Sequence, residues 1–244
     1  MGIAGSREQI VEELEAELAR LPRGHRLPSE QQLMARFDVG RSTIRGVLAE
    51  LEAHHLVRRV PGVGTFVHQR IRYPISPRRA PSFSEMVRAA GAEPRTVVLE
   101  HATAPVPARP AEALGLSQGD PAQHLQRLGH IDSEPACVFD EWFGPHVTVD
   151  LGLALRSFGS VGQVLQSSGF RPRRAVSRGT IRTAPEAVCR WLGVPPRTQT
   201  WFVVSTSVDA DSEERLMHSQ AWTRTDLVRM VFDVVPAPDG EDQP

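Results

Sequence analysis

Leu27-Pro28-Ser29-Glu30-Gln31-Gln32-Leu33-Met34-Ala35-Arg36-Phe37-Asp38-Val39-Gly40-Arg41-Ser42-Thr43-Ile44-Arg45 is the stretch on which the reading of this chain turns. Pro28 breaks whatever precedes it, and Ser29 with Gln32 three residues on forms a capping box. Leu33, Met34 and Phe37 then supply one apolar helical face. Asp38-Val39-Gly40 is a short turn. A further helix runs from Arg41 or Ser42 to His54, with Ile44, Val47, Leu48 and Leu51 turned inward. Upstream, Ser6 with Gln9 is another capping box, followed by Ile10, Leu14, Leu18 and Leu21 at helical spacing. Downstream, Leu56 to Val60, a Pro61-Gly62-Val63-Gly64 turn and Thr65-Phe66-Val67 read as a β-hairpin.

Helix, helix, tight turn, helix and hairpin is the plan of a winged helix-turn-helix, and its chemistry suits DNA. The third helix would enter the major groove by its N-terminal residues. Arg41 and Arg45 lie four apart and share a face. A guanidinium grips guanine O6 and N7 bidentately. Ser42 and Thr43, with the amides of the first turn, suit phosphate oxygens. Gly62 and Gly64 let the wing tip approach a duplex closely. Arg58 and Arg59 alternate, so at most one of them points at DNA. Helix one is acidic (Glu8, Glu12, Glu13, Glu15, Glu17) and should face away from phosphate. An Arg-bearing helix is more often a solvated face than a reading head. The ordered set of box, turn, Arg pair and glycine tip decides for the reading head.

The chain has 244 residues, 40% hydrophobic and 23% charged, with a mean hydropathy of −0.27. That suits two folded domains. No apolar run reaches the roughly 18 residues of a membrane span. The N-terminus MGIAGSREQIVEEL turns acidic at once and lacks a signal sequence, which predicts a cytoplasmic protein. Cys137 and Cys189 are too few for a disulfide scaffold and read as buried apolar residues. No metal site and no cofactor are expected. All 28 basic residues are arginine. Residues 25–72 carry 8 Arg against 4 acidic residues, whereas 73–244 carry 17 against 20. The attraction to a polyanion is therefore local.

These patterns divide the chain into a DNA-binding domain over 1–70, a linker over 71–81, a second domain over 82–235 and a disordered tail over 236–244. The linker is assigned from its Arg and Pro content and lack of core periodicity. The second domain carries a weak repeat. Pro110 to Gly115 resembles Pro185 to Gly193, and each short helix is followed by a strand-like run, a polar turn and another strand. Two such units predict an α+β domain around an antiparallel sheet. Ser160 opens a helix after an irregular approach, which suits an anion. Arg127, in a strand-like run, and Arg224, after the last hairpin strand, are candidates to hold the anionic effector. A lone strand Arg is more often a surface ion-pair partner than a ligand anchor. Asp140 and Glu141 are adjacent and point to opposite faces, so they make a poor acid–base pair. Trp142, Trp191, Trp201 and Trp222 read as core or interface residues.

Leu27 to Leu33, Phe37, Val39 to Arg45, Leu48, Leu51, Gly62, Gly64, Thr65 and Phe66 resemble the DNA-binding domain of the GntR regulators. The resemblance implies that Gln31, Arg41, Thr43, Arg45 and Gly62 contact the operator. Position 31 is often Arg in that family. Ser82-Phe83-Ser84-Glu85-Met86, Leu114-Gly115-Leu116, Asp140-Glu141-Trp142-Phe143, Gly159-Ser160-Val161, Leu192-Gly193 and Thr223-Arg224-Thr225-Asp226 resemble the UTRA domain of the HutC branch. That domain has a chorismate-lyase-like fold. Arg72-Tyr73-Pro74-Ile75 is similar to the phosphonate-utilisation regulators of that branch. The resemblance implies that Ser84, Arg127, Glu141 and Ser160 line an effector pocket, with Arg and Ser groups holding an acid or phosphate. The chain departs from that pattern at Gly129 (often Arg), Gly162 (often aromatic or His), Met217 (often Glu) and Thr223 (often Tyr). The departures point to a smaller or less polar ligand, or to a site with different anchors. The implied function is that of a transcriptional regulator, a repressor. It would bind an inverted-repeat operator in double-stranded DNA as a homodimer and respond to a small anionic effector. Two alternatives stand beside it: a constitutive DNA binder with a degenerate pocket, and a lyase-type enzyme.

Overall fold

A computed structural model describes residues 6–75 and 82–232. Pro77, Arg78, Arg79 and Pro81 of the expected linker, and the expected tail from 236 to 244, lie outside the described residues. The chain divides into two compact units, Met1–Arg70 and Ile71–Pro244.

In the first unit, α1 (Arg7–Leu18) starts at Ser6, whose hydroxyl accepts from the Gln9 amide while the Gln9 side chain caps Ser6 in return. α2 (Glu30–Phe37) repeats the device with Ser29 and Gln32, and ends at Asp38 in the left-handed region. α3 (Arg41–Ala53) follows after Val39-Gly40. The hairpin pairs β1 (Val57–Val60) with β2 (Gly64–Val67), Val57 opposite Val67 and Val60 opposite Gly64. One apolar cluster joins the helices to the hairpin: Ile10, Leu14, Leu33, Ile44, Leu48, Leu51, Val57 and Val67, all almost fully buried. Each such side chain contributes roughly 1.5–3 kcal/mol of burial, so the elements hold one another in place rather than standing alone.

The second unit is built on a six-stranded antiparallel sheet of order β4-β5-β6-β9-β8-β7. Its members are β4 (Pro94–Pro105), β5 (Pro121–Ile131), β6 (Glu134–Phe143), β7 (Pro172–Thr183), β8 (Gln199–Asp209) and β9 (Arg215–Arg224). The repeat seen in the sequence is real and one strand longer than expected. Each copy runs long strand, helix, strand, strand: β4, α5 (Ala108–Leu114), β5, β6, and then β7, α8 (Glu186–Leu192), β8, β9. The copies meet at the β6–β9 pair in the middle of the sheet. Gly115 and Gly193 close α5 and α8 with φ near 71° and 64°, where a side chain would strain the backbone.

The expected linker is corrected at its start. Ile71–Ile75 forms strand β3, parallel to β10 (Val228–Phe232) in a separate two-stranded sheet. Ile71 and Ile75 are buried, so the alternation was present, but two residues are too few to show against neighbouring Arg and Pro. β3, β10 and α4 (Phe83–Ala89) cover one sheet face with α6 (Leu151–Ala154) and α7 (Val161–Ser167), while α5 and α8 cover the other. Among the described residues, no helix is long and apolar enough to cross a membrane.

Candidate functional site

In the first unit, burying Ile44, Val47, Leu48 and Leu51 turns Arg41, Ser42 and Arg45 outward, all three exposed. Thr43 is half-buried beside them. No side chain caps α3, so its N-terminal turn remains open to a ligand. Arg41 Nε lies 3.2 Å from Glu30 Oε2 in a pair whose arginine is 73% exposed. Such a pair is weak and easily exchanged. Gln31 is exposed on α2. Arg59 is drawn back onto α3, its Nη2 donating to the Arg45 carbonyl at 3.2 Å and its amide donating to Glu52 Oε1 at 3.0 Å. Arg58 is exposed. Gly62 sits at the wing tip with φ 74°, next to Val63, which is half exposed.

Sequence reasoning missed Arg26. Its Nη2 donates to the Val63 carbonyl at 2.7 Å, and an isolated antiparallel β-bridge pairs Arg26 with Phe66 of β2. Arg26 therefore braces the wing tip from 37 residues away. Nothing local in the sequence marks it.

In the second unit, alternation sends odd-numbered residues of β5, β6, β8 and β9 to the face beneath α4, α7, β3 and β10, where they floor a cavity. Ser84, Arg127, Glu141 and Ser160 all line it. Arg127 Nε and Nη2 donate to Glu141 Oε2 and Oε1 at 2.8 and 2.7 Å, with both side chains almost wholly buried. The guanidinium also stacks over Phe139, 4.7 Å from its centroid. Arg127 is therefore an ion-pair partner, but a buried one inside the cavity. Ser84 Oγ donates to the Gly159 carbonyl at 2.7 Å, and Ser160 caps α7 through the Gln163 amide. Cys137, also in the wall, has its thiol pushed up to about 12 by burial.

Arg224 is a correction. Thr223 faces the cavity, so strand alternation turns Arg224 to the opposite side. There it donates to both carboxylate oxygens of Asp226 and to the Pro135 carbonyl, with Glu134 at 3.6 Å. It does not line the cavity.

Two residues outside the expected set complete the wall. Arg174 on β7 is 6% exposed, and its Nη2 donates to the Tyr73 hydroxyl at 2.9 Å. Tyr73 is the centre of β3. In the run Arg171-Pro172-Arg173-Arg174 only the strand register tells which guanidinium points inward. Gly162, Met217 and Thr223 line the cavity as well, whereas Gly129 lies beneath its aromatic wall. A Cβ on Gly129 would come within 2.8 Å of Phe83 Cε1 and 3.1 Å of Phe139 Cε2. The Phe83–Phe139 edge-to-face pair thus fills the space that a long side chain at 129 would need. Among the described residues, no group of His, Cys, Asp and Glu is arranged to hold a metal.

Comparison with known proteins agrees with this architecture. The sequence pattern of the bacterial regulatory proteins of the gntR family matches residues 6–67, and that of the UTRA domain matches residues 89–229. A probable transcriptional regulator, PhnF of Escherichia coli (strain K12), is 29% identical over 231 residues, covering 93% of this chain and 94% of that relative. An uncharacterized HTH-type transcriptional regulator of Rhizobium meliloti (strain 1021) is 31% identical over 192 residues, covering 78% and 77%. The crystal structure of PhnF from Mycobacterium smegmatis superposes with a TM-score of 0.62 at 23% identity, covering 93% of this chain and all of that one, which establishes the shared fold. These relatives are transcriptional regulators and not enzymes, which removes the lyase alternative. With an N-terminal helix-turn-helix unit and a C-terminal UTRA domain, the chain belongs to the GntR family of bacterial transcriptional regulators.

Proposed function

We propose that this regulator is a repressor that binds an inverted-repeat operator as a homodimer and is modulated by a small anionic metabolite held in the second unit. The observation that carries the DNA part is the exposed pair Arg41 and Arg45 on an uncapped helix terminus, flanked by Ser42 and Thr43, with Gln31 and Gly62 on neighbouring elements. Arg45 reads a base edge, Arg41 exchanges Glu30 for the duplex, and Ser42 and Thr43 meet phosphate oxygens. Two-fold symmetry of the dimer matches two-fold symmetry of the site. The cavity lined by Ser84, Arg127, Glu141 and Ser160 supports the effector part. Glu141 and Arg127 offer an acceptor and a donor to hydroxyl or amine groups of the ligand. Phe83, Phe139 and Met217 suit a compact body. To release DNA, the ligand must favour the non-binding arrangement by a few kcal/mol.

The test is a gel-shift titration of Arg45→Ala against the protein's own promoter and against single-base variants of each half-site. A loss of about 1–3 kcal/mol is expected, with relaxed preference at one base pair per half-site. Unchanged affinity and unchanged selectivity would overturn the groove assignment.

A further inference from the structure

The cavity holds two arginines, and they differ in what surrounds them. Arg127 on β5 is matched oxygen for nitrogen by the Glu141 carboxylate, so that pair presents no net charge. Arg174 on β7 is the other. Among the described residues it forms no ion pair, and its one hydrogen bond goes to the neutral hydroxyl of Tyr73. Its Nε is buried with no partner. Opposite it in the β7–β8 register stands Ser207, fully buried, whose Oγ is likewise without a partner. Both residues line the cavity. The register shift between Arg174 and Val176 marks a bulge at this place on β7. Bulges of this kind commonly re-aim a side chain beside a site.

A buried guanidinium without a counter-charge is costly, and so is a buried hydroxyl without a partner. The two residues that carry these orphaned donors stand opposite each other in the strand register and both line the cavity. We infer that Arg174 Nε and Ser207 Oγ form the anion subsite of the cavity, taking the oxyanion head of the effector, with Tyr73 as the positioning residue that holds the guanidinium plane. Arg127 and Glu141 then meet the uncharged polar part of the ligand. Three strands separate β5 from β7, so the head and the polar part lie toward different strands of the cavity floor. This assignment rests on the effector reading above and changes which residue supplies the charge.

The experiment uses the full chain, with inorganic phosphate, methylphosphonate and acetate as probes, followed by thermal shift and isothermal titration. At least one probe stabilises the unsubstituted protein in a dose-dependent manner. Arg174→Gln weakens that binding about ten-fold or more, as expected for loss of a hydrogen bond to a charged group, and Ser207→Ala weakens it several-fold. Arg174→Lys keeps the charge but lacks the Nε–H, so it falls between; it also serves if the Gln variant does not fold. The double variant Arg127→Met/Glu141→Leu removes the other pair without changing net charge and weakens probe binding less than Arg174→Gln does. If the double variant abolishes probe binding while Arg174→Gln retains it, the subsite assignment is overturned and the anionic-effector reading stands. If no anion stabilises the unsubstituted protein but neutral metabolites do, both are overturned.

Discussion

Gly129 shows how one residue shapes the effector cavity. The Phe83–Phe139 pair sits where a side chain at 129 would go, with ring centroids 5.6 Å apart. Gly129→Ala forces a Cβ to within 2.8 Å of Phe83, and overpacking of this kind costs about 1–3 kcal/mol. Urea denaturation should show that loss, and a neutral result would mean that Phe83 moves aside freely. Cys137 gives a second residue-scale expectation. Burial raises its thiol to about 12, and Thr223 Oγ lies 3.0 Å from Sγ. The folded pKa lies above the usual range, so at pH 8 the thiol is protonated and the nucleophilic thiolate is scarce. Cys189 is buried too. An aromatic disulfide reagent at pH 8 should therefore find no fast thiol in the native protein and two after denaturation. A rapid native burst would contradict the packing of this wall.

At the scale of the element, the two capping boxes and the wing carry the DNA unit. Ser29 and Gln32 cap α2 reciprocally, and α2 carries Gln31 and packs Leu33 into the shared core. Ser29→Ala should cost about 1 kcal/mol of stability, read from chemical denaturation of the full chain. No loss would mean that water replaces the cap without penalty. The wing depends on a longer-range device. Arg26 holds the Val63 carbonyl, and the Gly64 Cβ position lies 3.0 Å from Arg26 Nε. A side chain at 64 would therefore push against the brace of the wing.

For the whole molecule, the distribution of charge and the repeated strand–helix–strand–strand plan set how function divides. The excess of arginine lies within residues 25–72 and the acidic excess beyond them. The proposed dimer doubles the basic surface that meets DNA. Light scattering of the complex should give two chains per duplex carrying both half-sites. The fall of log K with log salt should be steeper on that duplex than on one with a single half-site. Equal slopes would count against paired reading heads.

Local signals carried the first unit almost entirely. Its capping boxes, turn and apolar spacing are short-range patterns, and short-range patterns survive in a linear string. The repeat in the second half was visible for the same reason, through the Gly-closed helices and polar turns. What no string could show was which arginine faces inward. Arg127, Arg174 and Arg224 all sit on strands, and partners distant in sequence shape the surroundings of each: Glu141 for the first, Tyr73 and Ser207 for the second, and Glu134 and Pro135 for the third, beside its near neighbour Asp226. The charge left over in the cavity, and the strand hidden in Ile71–Ile75, are settled by sheet register and burial, which exist only once the chain has closed on itself.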